Sequence, residues 1–589
     1  MYKINETLKE VKNPGRYIGE EFNVIKKNWD DAKLRVALAY PDLYEIGMSN
    51  LGFQIVYHLL NKREDTLCER VFAPDLDMEK FLRSYKIPIF TLESKTPLFK
   101  FDWIGFSISY ELNYSGVLNI LDLANISVFS RYRKEKDPVI IAGGPSVLNP
   151  EPLVPFIDVF FIGEVEDAID ELVSTYLEWK ESKESKLELY KRWVKIEGIY
   201  IPSLYEDISI TPKYLWVPEK ISRRIVKDLD NAYFPTKPLV PLQSVVHDRG
   251  IVEIMRGCQR NCRFCFAGYI YRPKRIRKPE KVKEIVRELF KNTGYEEITL
   301  LSLSSNDYPY IESLIHDLNK EFAGKYLNFS LPSLRADKFS LQLSEKLQSV
   351  RKSGLTFAIE AGTERLRRVI NKGLKTEDFL ATIKNAYDMG WRRVKLYFML
   401  GLPTEKKEDI EELVALILKM KNQNKGMLFH LSFSIFIPKP HTAFQWERFE
   451  EKGVIESRKK YIYENLKKGS FIIDFHDYNM SLLEAVFSRG DRKLSNVLFS
   501  AWKKGSRLEG WRDYLNISIW EEAFKENKIE PRDYLKERDL DESLPWDHIV
   551  TGVSKEFLKK EREKAYREEE TPPCEWNHYC EFCGIIHYE

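Results

Sequence analysis

Three cysteines, Cys258, Cys262 and Cys265, lie within eight residues at spacings of four and three. They follow the apolar run Ile251-Val252-Glu253-Ile254-Met255, which predicts a buried strand, so the cysteines occupy the loop leaving its C-terminal end. Thiolate sulfur is the ligand that holds iron–sulfur clusters. Four thiolates close a cubane, whereas three leave one iron open, the distinction that separates catalytic from structural metal sites. A structural zinc site takes four protein ligands, and no fourth Cys or His stands nearby. Phe264 places an aromatic ring directly before the third cysteine.

The pattern C-x3-C-x-aromatic-C, with Phe264 as its aromatic, resembles the signature of the radical S-adenosylmethionine (SAM) superfamily. The resemblance implies a [4Fe–4S] cluster on Cys258, Cys262 and Cys265. Its open iron would bind the amino and carboxylate groups of SAM. One electron would then cleave SAM to methionine and a 5′-deoxyadenosyl radical, which removes hydrogen from an unreactive carbon.

The elements that must position this loop follow it. Apolar segments recur at 297–302, 328–331, 354–359, 393–399 and 429–436, most of them separated by helical patterns. With the first strand they predict six β/α units, a partial (β/α)6 barrel with its site at the C-terminal strand ends. Polar or glycine residues stand there: Ser302 to Asp307, Ser333 to Arg335, Glu360 to Glu364 and Gly401 to Glu405. By the same resemblance, Ser302 and Ser304 would meet the methionine amino group and Arg335 the carboxylate. Glu360 would meet ribose or carboxylate, while Gly401 and Phe264 would lie by the adenine. Serines and threonines at such places also cap helices. No catalytic side chain is singled out, although His441 is read either as a proton carrier or as a loop histidine packed on Trp446. The basic run Arg272 to Lys278 is either a solvated loop or an anion-binding patch.

The N-terminal half alternates strands and helices, which predicts an open, Rossmann-like parallel sheet of the flavodoxin type. Ligands of such sheets sit at the carboxyl edge, where Gly47, Gly143, Gly144 and Gly163 fall. The Ala142-Gly143-Gly144-Pro145 turn and the Gly163-Glu164 strand end resemble the cobalamin-binding domain that precedes many radical SAM cores. The Asp-x-His-x-x-Gly loop that supplies an axial histidine elsewhere is missing. A cobalamin there implies C-methylation. A Rossmann-like domain without a cofactor leaves sulfur insertion, oxidation or rearrangement.

The tail carries Cys574, Cys580 and Cys583, which predict a second iron–sulfur cluster or a zinc site completed by His578 or His587, against a disulfide pair as the plain alternative. Tryptophans 511, 520 and 546 point to a compact helical subdomain before it. The expected divisions are 1–180 for the sheet domain, 181–241 for a bridge, 242–475 for the barrel and 476–589 for the helical region with its tail. The Pro-Lys-Pro-His-Thr loop (residues 438–442) and the Arg-Gly-Asp-Arg phrase (residues 489–492) add to a near-full-length resemblance. It is to an uncharacterised bacterial radical SAM family with an N-terminal cobalamin-binding-type domain, which has no agreed substrate.

The bulk composition bounds the rest. A chain of 589 residues with 43% hydrophobic residues exceeds one core and excludes global disorder. Lys and Arg number 92 against 90 Asp and Glu, so no overall charge directs it to a polyanion. No signal pattern or membrane-length apolar run is found, and the clustered cysteines fit metal ligation in a reducing cytoplasm. A reductase or flavodoxin-type electron donor is expected, with an unknown substrate for which RNA or protein remains open. A non-catalytic zinc and nucleic-acid-binding module is the alternative from a different class.

Overall fold

The strand β1 (Leu34–Tyr40) is buried along almost its whole length, because helices cover both faces of the sheet around it. In the computed structural model, which describes residues 8–207, 210–336, 355–574 and 583–585, β1 pairs in parallel with β2 (Thr66–Phe72) and β3 (Trp103–Ser107). The sheet continues through β4 (Val139–Gly143) and β5 (Val159–Phe161) to β6 (Ile199–Tyr200), in the order β2-β1-β3-β4-β5-β6. Only β6 runs antiparallel. The chain switches direction between β1 and β3, which opens a crevice at their carboxyl ends. Two helices flank it, α1 (Leu51–Lys62) and α2 (Ile169–Ser182).

The second unit is a partial barrel in two arcs. β7 (Gly250–Glu253), β8 (Glu297–Leu301) and β9 (Asn328–Ser330) form one. β10 (Leu355–Glu360), β11 (Arg393–Leu400), β12 (Leu428–Ile435) and β13 (Phe471–Phe475) form the other. All these pairs are parallel. β13 is a seventh strand beyond the six expected; it is a short, half-exposed edge strand, so its pattern is weak. On β11, Val394, Leu396, Phe398 and Leu400 are buried against Ile383, Leu413 and Ile417 of the surrounding helices. The alternate set, Lys395, Tyr397 and Met399, faces inward and stays partly accessible.

The C-terminal helices do not make a subdomain of their own. α3 (Tyr478–Ser488), α4 (Leu494–Lys503) and α5 (Ile517–Glu526) place Phe487, Leu498, Trp502 and Trp520 in the same apolar core as the N-terminal sheet. The Trp511 indole donates to Asp42 at 2.8 Å. Trp546 packs separately with Trp446 and Tyr269. The Arg-Gly-Asp-Arg phrase is the joint between these regions: Arg492 pairs with Glu151 at 3.0 Å, and the Asn149 amide donates to the carbonyls of Ser488 and Gly490.

Candidate active site

The cysteine loop leaves β7 through Arg256 and Gly257. Gly257 has φ +81°, and a Cβ there would stand 2.5 Å from two backbone oxygens, so glycine is required. The sulfurs are accessible only in part. Cys258 Sγ accepts from the Arg260 N–H at 3.4 Å, and Cys265 Sγ from the Gly268 N–H at 3.3 Å. Burial pushes the Cys265 thiol up to about 12, and repulsion from Cys262 and Cys258 adds to this. Burial raises Cys258 likewise. Iron binding would therefore release protons from these thiols. Among the described residues no three His, Cys, Asp or Glu side chains converge on one ion. The three thiolates of a cubane bind three different irons and need not converge.

Polar groups converge on this loop. Arg260 pairs with Asp307 at 2.6 Å, and the Ser304 hydroxyl donates to the same carboxylate at 2.7 Å. Ser304 is thus engaged within its own turn. The Ser302 hydroxyl, 3.1 Å from that of Ser305, stands on the wall of a large cavity. The Arg335 N–H donates to the Asn306 side chain at 2.9 Å, and its guanidinium donates to the Lys372 carbonyl at 2.8 Å. Glu360, at a bulge where β10 ends, pairs with the Lys372 ammonium at 3.1 Å. Phe264 packs against the apolar cluster that contains Ala361, Leu402 and Phe436. Gly401 ends β11 with φ +82° and donates its N–H to Glu405 at 3.1 Å. Burial lifts Glu405 to about 7 against the pull of Arg458. Ser302, Arg335, Glu360 and Gly401 all stand at or just beyond the C-terminal ends of barrel strands. Sequence reasoning missed Lys372, a single lysine in an Asn-Lys-Gly loop with no spacing signal.

The cavity, about 540 Å³, lies between the crevice of the N-terminal sheet and the barrel mouth. Its walls are mostly apolar: Val36, Leu38, Ile55, Ile141, Phe161 and Leu172 among others. Gly143, Gly144 and Gly163 line it. A Cβ on Gly143 would meet the Phe161 carbonyl oxygen at 3.6 Å, an ordinary contact that a methyl group can make without strain. On Gly144 and Gly163, both at positive φ, it would strike the carbonyls of Ile108 and Arg224 at 2.4 and 2.3 Å. Gly47 is elsewhere, pressed against the Phe72 ring, 2.3 Å from where its Cβ would be. On the barrel side the wall is Glu253, Arg256, Gly257, Tyr271, Ser302 and Leu303.

Apart from Lys278, which is exposed, the cations of the basic run are buried and engaged. Arg275 makes a bidentate pair with Glu164 at 2.7 and 2.9 Å, and Arg256 joins the same carboxylate at 3.1 Å. Burial alone would raise the Glu164 carboxyl, but Arg256 and Arg275 hold it at about 2. Arg272 stacks on Tyr269 at 4.9 Å and donates to Asn261. Arg256 and Arg275 thus lock the two units together, while Arg272 braces the cysteine loop within the barrel. His441 is also a joint: buried, with Nε2 3.0 Å from the Leu148 carbonyl, and with burial lowering it to about 4. It acts there as a neutral N–H donor rather than a proton carrier, and its ring neighbours Trp546 rather than Trp446.

The tail reaches the cluster loop. The Cys574 N–H donates to the Gln259 carbonyl at 2.8 Å, and the Asn261 amide to the Pro572 carbonyl at 2.8 Å. Cys583 is buried in the Trp446 and Trp546 cluster. Cys580, His578 and His587 lie outside the described residues.

A strand-borne cysteine loop at the mouth of an open parallel barrel is the architecture of radical SAM enzymes. Comparison with known proteins agrees. The model for radical SAM proteins, N-terminal, matches residues 52–202, and that for the radical SAM superfamily matches residues 252–417. "Uncharacterized protein MJ0966" of Methanocaldococcus jannaschii is 30% identical over 467 residues, covering 79% of this chain and 90% of the relative. The "putative methylthiotransferase MJ0865" of the same archaeon is 26% identical over 341 residues, 56% of this chain and 67% of the relative. Among solved structures, the radical SAM methyltransferase TsrM from Kitasatospora setae, with cobalamin and a [4Fe–4S] cluster bound, superposes with a TM-score of 0.53. It has 12% identity and covers 84% of this chain and 99% of TsrM. The chain belongs to the radical SAM superfamily, in the family that includes MJ0966. It is an enzyme that uses SAM and a [4Fe–4S] cluster, and residues 258–265 fit the cluster motif. MJ0966 is archaeal, whereas relatives of lower identity such as the tRNA-2-methylthio-N(6)-dimethylallyladenosine synthase of Thermotoga petrophila are bacterial. Among the described residues no helix is long and apolar enough to cross a membrane.

Proposed function

We propose that this chain is a cobalamin-dependent radical SAM enzyme that methylates an unreactive carbon. The observation that carries the reading is the single cavity that joins the carboxyl edge of the N-terminal sheet to the barrel mouth. Its walls fit the flat face of a large macrocycle: few polar groups, with Gly143, Gly144 and Gly163 lining it without side chains. Histidine is absent from the described lining, so these walls would hold such a cofactor by shape and peripheral hydrogen bonds. The Asn50 amide, which donates to the Ser109 hydroxyl at 3.2 Å, is one polar pair available for that.

Cys258, Cys262 and Cys265 would hold the cluster. Ser302, Arg335 and the Gly401 turn would orient SAM, with Phe264 beside the adenine and Glu360 acting through Lys372. The [4Fe–4S] cluster, when bound, supplies the electron that cleaves SAM. Cobalamin, when bound, supplies the methyl group for transfer. The inward face of the barrel, with Lys395, Tyr397, His430 and Ser432, would present polar groups to the substrate. The burial of Arg272, Arg275 and Arg277 removes the argument for RNA that rested on the basic run. A flavodoxin-type reductase would deliver the electron.

Sulfur insertion without cobalamin is the second reading, favoured by the likeness to MJ0865 and by Cys574 of the tail beside the cluster loop. One experiment separates the two. The full chain is reconstituted anaerobically with iron, sulfide and hydroxocobalamin, and bound iron, zinc and corrinoid are counted. Dithionite and SAM are then added and 5′-deoxyadenosine is measured. One corrinoid per chain, with 5′-deoxyadenosine lost when Cys258, Cys262 and Cys265 are all alanine, supports methylation. No corrinoid with about eight irons, enough for two cubanes, sinks it in favour of the second reading.

A further inference from the structure

The loop after the short helix Glu364–Val369 is bolted to the cysteine loop. The Arg263 N–H donates to the Ile370 carbonyl at 3.1 Å, and its guanidinium donates to the carbonyls of Arg368 and Val369 at 3.0 and 2.9 Å. The Asn371 amide donates to the Asn261 carbonyl at 3.0 Å. The next residue is Lys372, which these bonds hold against the loop that carries Cys262. Its ammonium is clamped by Glu360 at 3.1 Å, each side chain only 12% exposed, and its carbonyl is held by Arg335. Burial opposes the charge, yet Glu360 and then Cys262 outweigh it, so the Lys372 pKa is raised.

We propose that Lys372, oriented by Glu360, is the built-in counter-cation of the cysteine loop and sets the reduction potential of the cluster held there. Reduction adds one negative charge to a cluster already surrounded by three thiolates. A fixed ammonium in a poorly solvated site stabilises the reduced form more than the oxidised one. Glu360 plays two parts: it holds the ammonium in place and it attenuates the field. Lys372 is thus a positioning and tuning residue. The two partners make opposite predictions, which a merely structural ion pair would not.

The inference rests on the reading that Cys258, Cys262 and Cys265 hold the cluster. The test therefore begins with iron content and the EPR signal of the reduced cluster in the reconstituted full chain and in its triple Cys→Ala variant. Redox titrations without SAM then compare wild type, Lys372→Met, Lys372→Arg and Glu360→Gln. Lys372→Met is expected to shift the reduction equilibrium at least tenfold toward the oxidised form, 59 mV for a one-electron couple. Glu360→Gln should move it the other way, and Lys372→Arg should stay within threefold of wild type. Should Lys372→Met assemble no cluster, the sign of the Glu360→Gln shift decides alone. With full iron content, a Glu360→Gln equilibrium within threefold of wild type, or shifted toward the oxidised form, overturns the proposal. An iron content indifferent to the triple variant overturns the cluster assignment itself, and the proposal with it.

Discussion

Replacing Arg263 with methionine should loosen the cluster site without touching a cysteine. Arg263 stands between Cys262 and Phe264, and its side chain is wholly buried against the equally buried Glu561 at 3.2 Å. It also donates to the carbonyls of Arg368, Val369 and Glu569, the last at 2.7 Å. One guanidinium thus clamps three pieces: the cysteine loop, the Lys372 loop and the strap that follows the helix Lys555–Tyr566. Methionine fills much of the volume but donates nothing. Removing one partner of a buried pair costs about 3–5 kcal/mol, because the other charge is left uncompensated. Here Glu561 keeps the Thr571 hydroxyl at 2.7 Å and Lys564 at 3.2 Å, which argues for the lower end, about 3 kcal/mol. Three carbonyls lose a donor as well, so about 4 kcal/mol is the working figure. The assay is equilibrium urea unfolding of the full chain before reconstitution, with iron retention measured after it. Glu561→Gln should cost less, and the double variant should fall short of the sum by more than about 1 kcal/mol, since the residues share one network. An Arg263→Met loss below about 1 kcal/mol, or strict additivity, would refute the view that this clamp assembles the site.

Other outcomes follow from single positions. Gly163→Ala forces a Cβ to within 2.3 Å of a carbonyl at φ +122° and should destabilise the chain by more than about 1 kcal/mol in thermal melts. Gly143→Ala adds a Cβ at an ordinary 3.6 Å contact and should keep the fold while weakening hydroxocobalamin binding at least about tenfold, about 1.4 kcal/mol. His441, at about 4 in the folded chain and near ~6.5 unfolded, takes up protons in the unfolded state first. Its contribution is complete above pH ~6.5 and is lost as pH falls toward 4, so His441→Gln should flatten that stretch of the stability profile. Glu164 is held at about 2, below the ordinary carboxylate range, so its contribution is complete above pH ~4.3 and fades as pH falls through 2. Glu164→Gln should therefore cost about 3 kcal/mol at pH 7 and much less near pH 2, read from urea midpoints at both.

The sequence by itself determined the chemistry-bearing loop and the run of elements. Apolar strands buried on both faces announce themselves as continuous runs, which is why β1, β4 and the inner barrel strands stand where the pattern puts them. β13 and β6 were harder to read, because edge strands need only half an apolar face or a two-residue pairing. The spacing of Cys258, Cys262 and Cys265 likewise carries its meaning locally, since one loop supplies all three ligands. What only the tertiary structure decided is how charge is used. Arg275 reads as part of a solvated loop in a linear view and Arg263 has no partner nearby in sequence, yet both are buried because a distant acceptor, Glu164 or Glu561, meets each across the fold. Lys372 has no motif, and its place beside the cysteines comes from bonds to residues about a hundred positions away. The C-terminal helices read as a separate subdomain because their apolar stripes are self-consistent; only packing shows that the N-terminal sheet is what covers them. The cavity between the two units, the feature on which the proposed chemistry turns, exists in neither half alone.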